Sequence, residues 1–192
     1  PSIEELVKGT VSINNLRPLS IEDLIGREKI KPLKSIFGPG IKNKAIFVSG
    51  AAGSIGHEIC MQLLKLKPKE IIIFDISEAS LYISFENLKH ANHNDIKITP
   101  IIGCATNINL LNYIFKKHKV EIIFHAAAYK HVPLVEINPI EGIRNNIFST
   151  KSICETADKS KFIKKVILIS SDKAVRPTNI MGATKRVSEL II

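Results

Sequence analysis

Cysteine is scarce in this chain. Cys60, Cys104 and Cys154 are odd in number and widely spaced, and they form no Cys-x-x-Cys pair. That argues against a disulfide framework or a cysteine zinc site and favours a reducing compartment. Long apolar runs are missing too: none approaches the roughly 20 residues needed to cross a bilayer. No signal peptide is visible. The chain begins at Pro1 rather than methionine, so a membrane segment upstream stays open. There is no internal repeat or low-complexity segment, and the histidines, His90 and His93 included, make no convincing metal site. Acidic residues are few, 18 against 27 basic ones, which leaves a net charge of +9. Such a charge attracts nucleic acid, an anionic membrane face or a phosphorylated small molecule. The lysines are nevertheless scattered, at Lys65, Lys67 and Lys69, at Lys116, Lys117 and Lys119, and from Lys159 to Lys165. Those places read as helix ends and loops, where cations complement the helix dipole. A solvated basic surface follows, with no nucleic-acid partner.

What is present is enough for one domain. The 192 residues are 45% hydrophobic and 23% charged, ordinary for a soluble globular protein. Residues 1 to 43 stand apart, with Pro18, Pro32 and Pro39 and the break Gly38-Pro39-Gly40. Within them Ser20-Ile21-Glu22-Asp23 reads as a capping box opening a short helix that Gly26 ends. This part is expected to be an arm or linker. From Lys44 onward, short apolar runs alternate with helical periodicity. Strands are expected at 45–49, 71–74, 96–102, 121–125 and 166–169. Helices are expected at 55–66, 78–90 and 108–118, in one long stretch from about 132 to 159, and from about 180. That alternation predicts an α/β fold, a Rossmann-like doubly wound parallel sheet in the order 3-2-1-4-5.

Two places carry the chemistry. Gly50-Ala51-Ala52-Gly53-Ser54-Ile55-Gly56 lies between the first strand and the first helix. The first glycine permits a tight turn, and the next ones let backbone amides approach a pyrophosphate at the helix N-terminus. Asp75 ends the second strand about 20 residues further on, where it can bind a ribose diol and repel a 2′-phosphate, favouring NAD over NADP. Ala126, Ala127 and Ala128 would let the dinucleotide lie flat across the strand ends, or are simply a helix-forming alanine run. His125 reads as a strand-end packing residue. The second place is Ser170-Ser171-Asp172-Lys173, where a hydroxyl, a carboxylate and an ammonium emerge together after a buried strand. Lys185 follows Met181 by four residues, so both share one helix face. The spacing suits a Tyr-x-x-x-Lys redox pair, but the tyrosine is missing. Either the proton chemistry falls to Asp172 and Lys173, or those two are a turn with an ion pair.

These residues resemble a known family. The chain is similar to the extended short-chain dehydrogenase/reductases and, within them, to the CapD-like nucleotide-sugar 4,6-dehydratases of bacterial polysaccharide biosynthesis. The likeness rests on Leu16 to Arg27, the glycine loop, Asp75 to Glu78, and His125 to Pro133 (HAAAYKHVP). It continues through Glu136, Asn138-Pro139, Asn145-Asn146 and Ser170 to Arg186 (SSDKAVRPTNIMGATKR). The arm motif and Met181 resemble the membrane-anchored branch, in which methionine at this position is usual. The resemblance implies a cytoplasmic enzyme on the inner face of the bacterial plasma membrane, tethered upstream of residue 1, and leaves a homo-oligomer open.

It further implies that NAD+ is recycled while a UDP-N-acetylglucosamine-like sugar is oxidised at C4, loses water across C5 and C6, and is reduced at C6. By resemblance, Asp172 is the acid for the departing 6-hydroxyl and Lys173 the base at C5. Ser171 binds O4, and Lys185 holds the nicotinamide ribose and helps O4 lose its proton. Gly50, Gly53, Ser54, Ile55, Gly56, Asp75, the three alanines and Lys185 serve the cofactor; Lys130 and Asn146 are substrate or strand-end contacts. The alternatives are a nucleotide-sugar 4-epimerase and a catalytically incompetent NAD-binding fragment. Two departures stand out. Cys104 occupies a position where relatives carry an aspartate that reads the adenine amino group, a bond cysteine accepts poorly. The chain also stops at Ile192, so it is expected to hold NAD weakly to moderately and to lack a complete substrate pocket.

Overall fold

The computed structural model describes residues 40–192. The arm helix expected around Ser20 and the Leu16–Arg27 motif lie outside the described residues. Chain order is β1 (Ala45–Ser49), α1 (Ser54–Leu64), β2 (Glu70–Asp75), α2 (Glu78–Ala91), β3 (Lys97–Ile102), α3 (Ile108–His118) and β4 (Ile122–His125). There follow α4 (Val132–Ile137), α5 (Pro139–Ile143), a π-helical turn (Arg144–Phe148), α6 (Ser149–Asp158), β5 (Lys165–Leu168), a 3₁₀ turn (Asp172–Ala174) and α7 (Ile180–Ile191). All strand pairs are parallel, and the sheet order is β3-β2-β1-β4-β5, as the apolar runs predict.

The sheet is doubly wound because its central strands carry unbroken apolar runs, Ala45 to Val48 and Ile71 to Phe74, buried on both faces. Successive side chains of a strand point to opposite faces. Ile46 and Val48 of β1, with Ile71 and Ile73 of β2, pack under Cys60, Leu63 and Leu64 of α1 and Leu81 and Leu88 of α2. Phe47, Ile72, Phe74 and Ile123 turn the other way, against Leu111, Ile114 and Phe115 of α3 and Ile153 of α6. Phe47 is the centre of that second layer. Its ring lies 5.2 Å from Phe74 and meets Phe115 edge-on at 5.1 Å, an arrangement that suits the ring quadrupoles.

Most boundaries move by a residue or two, and three differences from the expectation have consequences. Ile41 is buried in the first layer, so the folded unit reaches back past residue 44. The fifth strand is shifted by one residue: Ile169 lies beyond it, its N–H donating to the His125 carbonyl at 2.9 Å. The long helix over 132–159 is broken. Asn138 leaves the helical region (φ −124°, ψ 59°), and Pro139 starts α5. Proline has no N–H to give and pushes the preceding residue out of the α region. The π turn then precedes α6, and the Asn146 carbonyl there accepts the hydroxyls of Thr150 (2.8 Å) and Ser188 (3.0 Å).

At the strand ends opposite the glycine loop, Glu70 is a buried carboxylate. It accepts from Thr99 (2.7 Å) and pairs with His118 (2.9 Å) and Lys97 (3.0 Å). Burial alone would raise its pKa; the bonds from Thr99, Lys97 and His118 outweigh it and hold the carboxyl below its ordinary value. Phe47→Ala empties the middle of the second layer and is expected to cost about 3–5 kcal/mol. A lowered urea midpoint at unchanged slope measures that loss.

Candidate active site

The glycine loop is shaped by one backbone approach. Gly50 has φ +67°, and a Cβ there would lie 2.6 Å from the Ala127 nitrogen. Any larger residue collides with the loop after β4. Gly56 is closed in as well, since its Cβ would sit 2.0 Å from the Gly50 carbonyl oxygen. The start of α1 therefore lies directly on the turn. No side chain caps α1 at Gly53, which leaves its first amides for an anion.

Asp75 closes this end. Its Oδ2 accepts the Ala52 N–H at 3.1 Å, and its Oδ1 accepts the Ser77 N–H at 3.0 Å. The carboxylate thus ties the glycine loop to the end of β2. A cleft of about 290 Å³ opens above the strand ends. It brings together Gly50, Gly53, Asp75, Ala126, Ala127 and Ala128 from the expected cofactor set, and adds Ser77, Ser80, Cys104 and Tyr129. The residues present fit a dinucleotide: a glycine cradle that a Cβ would fill, an uncapped helix start, and a fixed carboxylate. Ser54 and Ile55 are exposed on the first turn of α1 and do not line the cleft; Gly56 is buried beneath it. Lys130 lines an adjacent cavity of about 440 Å³ with Tyr129, His131 and Leu134.

The second cluster stands at the end of β5. Ser171 Oγ donates to Asp172 Oδ1 at 3.0 Å, the Lys173 N–H reaches the same oxygen at 3.0 Å, and Lys173 Nζ is 3.5 Å from it. All three are on the surface, and the Asp172 side chain is 87% exposed. The Ser171 hydroxyl, together with Lys173, holds the Asp172 carboxyl below its ordinary value. Lys185 is the opposite case: it is 7% exposed and donates to the Ile169 carbonyl at 2.6 Å. Burial lowers its pKa, against the raising effect of Glu189. None of these four residues lines the 290 Å³ cleft. Backbone bonds relate the two clusters, Ala126 N–H to Ser49 and Ile169 N–H to His125.

Helix α7 holds the second cluster. Besides the Lys185 bond, Glu189 accepts the Ser170 hydroxyl. A Cβ on Gly182 would come 2.3 Å from the Lys173 carbonyl oxygen. Glu136 of α4 accepts the Ile180 N–H at 2.6 Å, and Asn179 caps the helix through the Gly182 N–H. The sequence reading passed over Gly182 and Glu136 as parts of a motif. A glycine inside a helix, three residues before Lys185, was the available signal.

Two expected site residues lie inside the protein. Asn146, read as a substrate contact, is 1% exposed. Its Oδ1 accepts the Tyr129 N–H (2.7 Å), and its Nδ2 donates to the Tyr129 carbonyl (3.0 Å) and Thr184 Oγ1 (2.9 Å). Its amide is occupied by protein partners, so it joins the loop after β4 to α7 instead of facing a ligand. Met181 is 3% exposed, packed within the fold.

A family profile described as polysaccharide biosynthesis protein matches residues 46–192. The chain belongs to that family. It is 41% identical over its whole length to the capsular polysaccharide biosynthesis protein CapD of Staphylococcus aureus, covering 32% of that protein. The chain therefore spans about a third of the length of such curated relatives. Pen from Bacillus thuringiensis, a solved structure, is 34% identical with a TM-score of 0.72, over 79% of this chain and 44% of Pen. The UDP-glucose 4-epimerase of Bifidobacterium longum, solved with NAD+ and UDP, is 23% identical with a TM-score of 0.69. It covers 77% of this chain and 48% of its own, a likeness of fold. Among the described residues, no helix is long and apolar enough to cross a membrane and no side-chain group forms a metal cluster.

His125, between the two clusters, is 1% exposed, with Nδ1 2.6 Å from Ser49 Oγ and Nε2 3.1 Å from Thr150 Oγ1. The Thr150 hydroxyl gives its proton to the Asn146 carbonyl, so Nε2 carries the imidazole hydrogen and Nδ1 accepts from Ser49. Burial, with help from the Lys185 charge, pushes the His125 pKa down to about 3. The unfolded chain then binds a proton, at an ordinary pKa near 6.5, that the folded chain refuses. Stability is full above that value and falls as the pH drops toward 3, by up to about 1.4 kcal/mol per pH unit from this group. Glu70 acts in the same direction. Denaturant midpoints of the wild type and of His125→Gln across pH 4 to 7 measure the difference; the variant is expected to show the shallower slope.

Proposed function

We propose that the chain is the NAD-binding part of a nucleotide-sugar 4,6-dehydratase acting on UDP-N-acetylglucosamine or a close relative. The observation that carries this reading is the Ser171-Asp172-Lys173 turn, bound to the Lys185 helix at the end of β5, beside the glycine cleft of β1 and β4. A carboxylate, a hydroxyl and an ammonium at one turn supply what elimination of water needs. Bound in the cleft, NAD+ would supply the hydride acceptor for the sugar C4 and the hydride donor for C6. Asp75 holds the ribose diol of the adenosine half, and the α1 amides hold the pyrophosphate. Lys185 fixes the nicotinamide ribose, and its lowered pKa helps O4 lose its proton. Ser171 orients O4, and Lys173 removes the C5 proton once oxidation at C4 has made it acidic and returns a proton to C5 as C6 is reduced.

Asp172 protonates the departing 6-hydroxyl. In the free chain it is ionised and open to water, so it gains its proton only when bound sugar excludes solvent and raises its pKa. Lys130, on the neighbouring cavity, contacts the sugar or its phosphates. A membrane tether, a place on the inner face of the plasma membrane and a homo-oligomer belong to the same reading of the longer protein.

Incubating the chain, or a longer polypeptide containing it, with UDP-N-acetylglucosamine and NAD+ tests the reading by NMR. A 4-keto-6-deoxy sugar is the expected product. Inversion at C4 with the 6-hydroxyl kept makes it an epimerase, and NAD binding without sugar chemistry makes it a binding fragment. Lys173→Ala in the active form is expected to lower turnover at least 100-fold, in line with general-base catalysis worth roughly 10²–10⁴. Undiminished turnover would refute the role of Lys173. The cofactor choice has its own check. NAD+ is expected to bind at least about tenfold more tightly than NADP+, a gap of about 1.4 kcal/mol. Asp75→Ala should narrow that gap, as read by titration calorimetry.

A further inference from the structure

The adenine end of the cleft is chemically bare. Asp75 marks the ribose, and the glycine loop marks the pyrophosphate, so the purine lies beyond Asp75, over Ile76 and the end of β3. The walls there are Ile76, Gly103, Cys104 and Ala105; the Ser77 and Ser80 hydroxyls also line the cleft and are bonded to each other at 2.9 Å. Among the described residues, Asp75 is the only carboxylate lining the cleft. Its two oxygens already accept from Ala52 and Ser77, and its carbonyl accepts the Gly103 N–H at 2.9 Å. The Cys104 carbonyl is taken up by the Asn107 N–H at 3.0 Å, and its thiol lies 3.1 Å from the Thr106 hydroxyl. A thiol is a weak donor and a weaker acceptor.

An amino group at C6 of a purine is a donor and is recognised by a free acceptor; an oxo group there is an acceptor. A site discriminates strongly between such analogues only when it is built to hydrogen-bond one of them. A base placed here would meet Ile76, Ala105 and the Cα of Gly103, which offer flat apolar contact. Space at Gly103 is tight, since a Cβ would come 2.5 Å from Leu110 and 2.7 Å from the Phe74 ring. The floor beneath the base is therefore fixed. We propose that Cys104 makes this cleft indifferent to the 6-substituent of the purine, so that nicotinamide hypoxanthine dinucleotide binds about as tightly as NAD+. This rests on the dinucleotide reading of the cleft and adds a specificity to it.

Titration calorimetry of the chain with NAD+ and with nicotinamide hypoxanthine dinucleotide tests the inference. Dissociation constants within about threefold of one another are expected. In Cys104→Asp the new carboxylate accepts from the 6-amino group, and the preference for NAD+ is expected to rise to roughly tenfold or more, the effect of one charge-assisted hydrogen bond. A thermal melt of the variant within a few degrees of wild type shows that the fold is retained. A wild-type preference for NAD+ above tenfold would overturn the inference while leaving the cofactor reading intact. Binding of neither dinucleotide would overturn both. If Cys104→Asp is unfolded, Cys104→Asn, which also offers an acceptor, takes its place in the same comparison.

Discussion

The approach of the Gly50 backbone to Ala126 and Ala127 is the contact on which the site depends. β1 has neighbours on both sides, β2 and β4, and helices α1 and α3 pack on opposite faces of the sheet. The strand ends part there, and a crevice forms for any ligand that fits. Only a residue without a Cβ can turn at Gly50 with φ +67° and leave the Ala127 nitrogen its space. Gly56 extends the same economy by letting α1 begin against the Gly50 carbonyl. Asp75 then fixes the loop by accepting the Ala52 amide. Three elements meet through backbone, and the side chains they spare leave room for a cofactor.

The second site obeys a different constraint. Its turn is short and exposed, and α7 positions it by touching its backbone and first residue: Lys185 to the Ile169 carbonyl, Glu189 to Ser170, and Gly182 beneath Lys173. Asn146 couples that helix to the cofactor side through Thr184 and Tyr129. The π turn strengthens the link, because it leaves the Asn146 carbonyl to hydroxyls of α6 and α7. π-helical turns inside helices recur at functional sites.

The parallel sheet was legible because each central strand is apolar at successive positions, AIFVS and EIIIFD, which only burial on both faces explains. The cofactor end was legible because glycine spacing and an aspartate at a strand end are backbone requirements, and these are local. The interior placement of Asn146 was not. A polar residue in a helical stretch reads alike whether it faces a ligand or three protein partners, and its partners come from 17 and 38 residues away. Pro139 was visible, yet the apolar periodicity around it carried the reading through, and only the geometry at Asn138 shows the break. Met181 is a case of its own: spacing put it on the Lys185 face, but that face is turned inward.

For the proposed reaction, Lys185 and Asp172 show what substrate binding has to change. Lys185 is already desolvated, and its pKa is already lowered, so it enters the reaction prepared. Asp172 is solvated, and its pKa is lowered too, which is the wrong direction for an acid. The two displacements have opposite consequences: one favours a neutral amine, the other keeps a carboxylate charged. Removal of water and loss of the Ser171 bond both reverse the second. Covering the turn weakens the solvation of the carboxylate, and a sugar oxygen that accepts the Ser171 hydroxyl releases that bond from Asp172. Loss of either stabilising contact raises the Asp172 pKa toward the value an acid requires. In the proposed reaction, oxidation at C4 would draw on Lys185 and Ser171, whereas elimination would wait until bound sugar covers the turn.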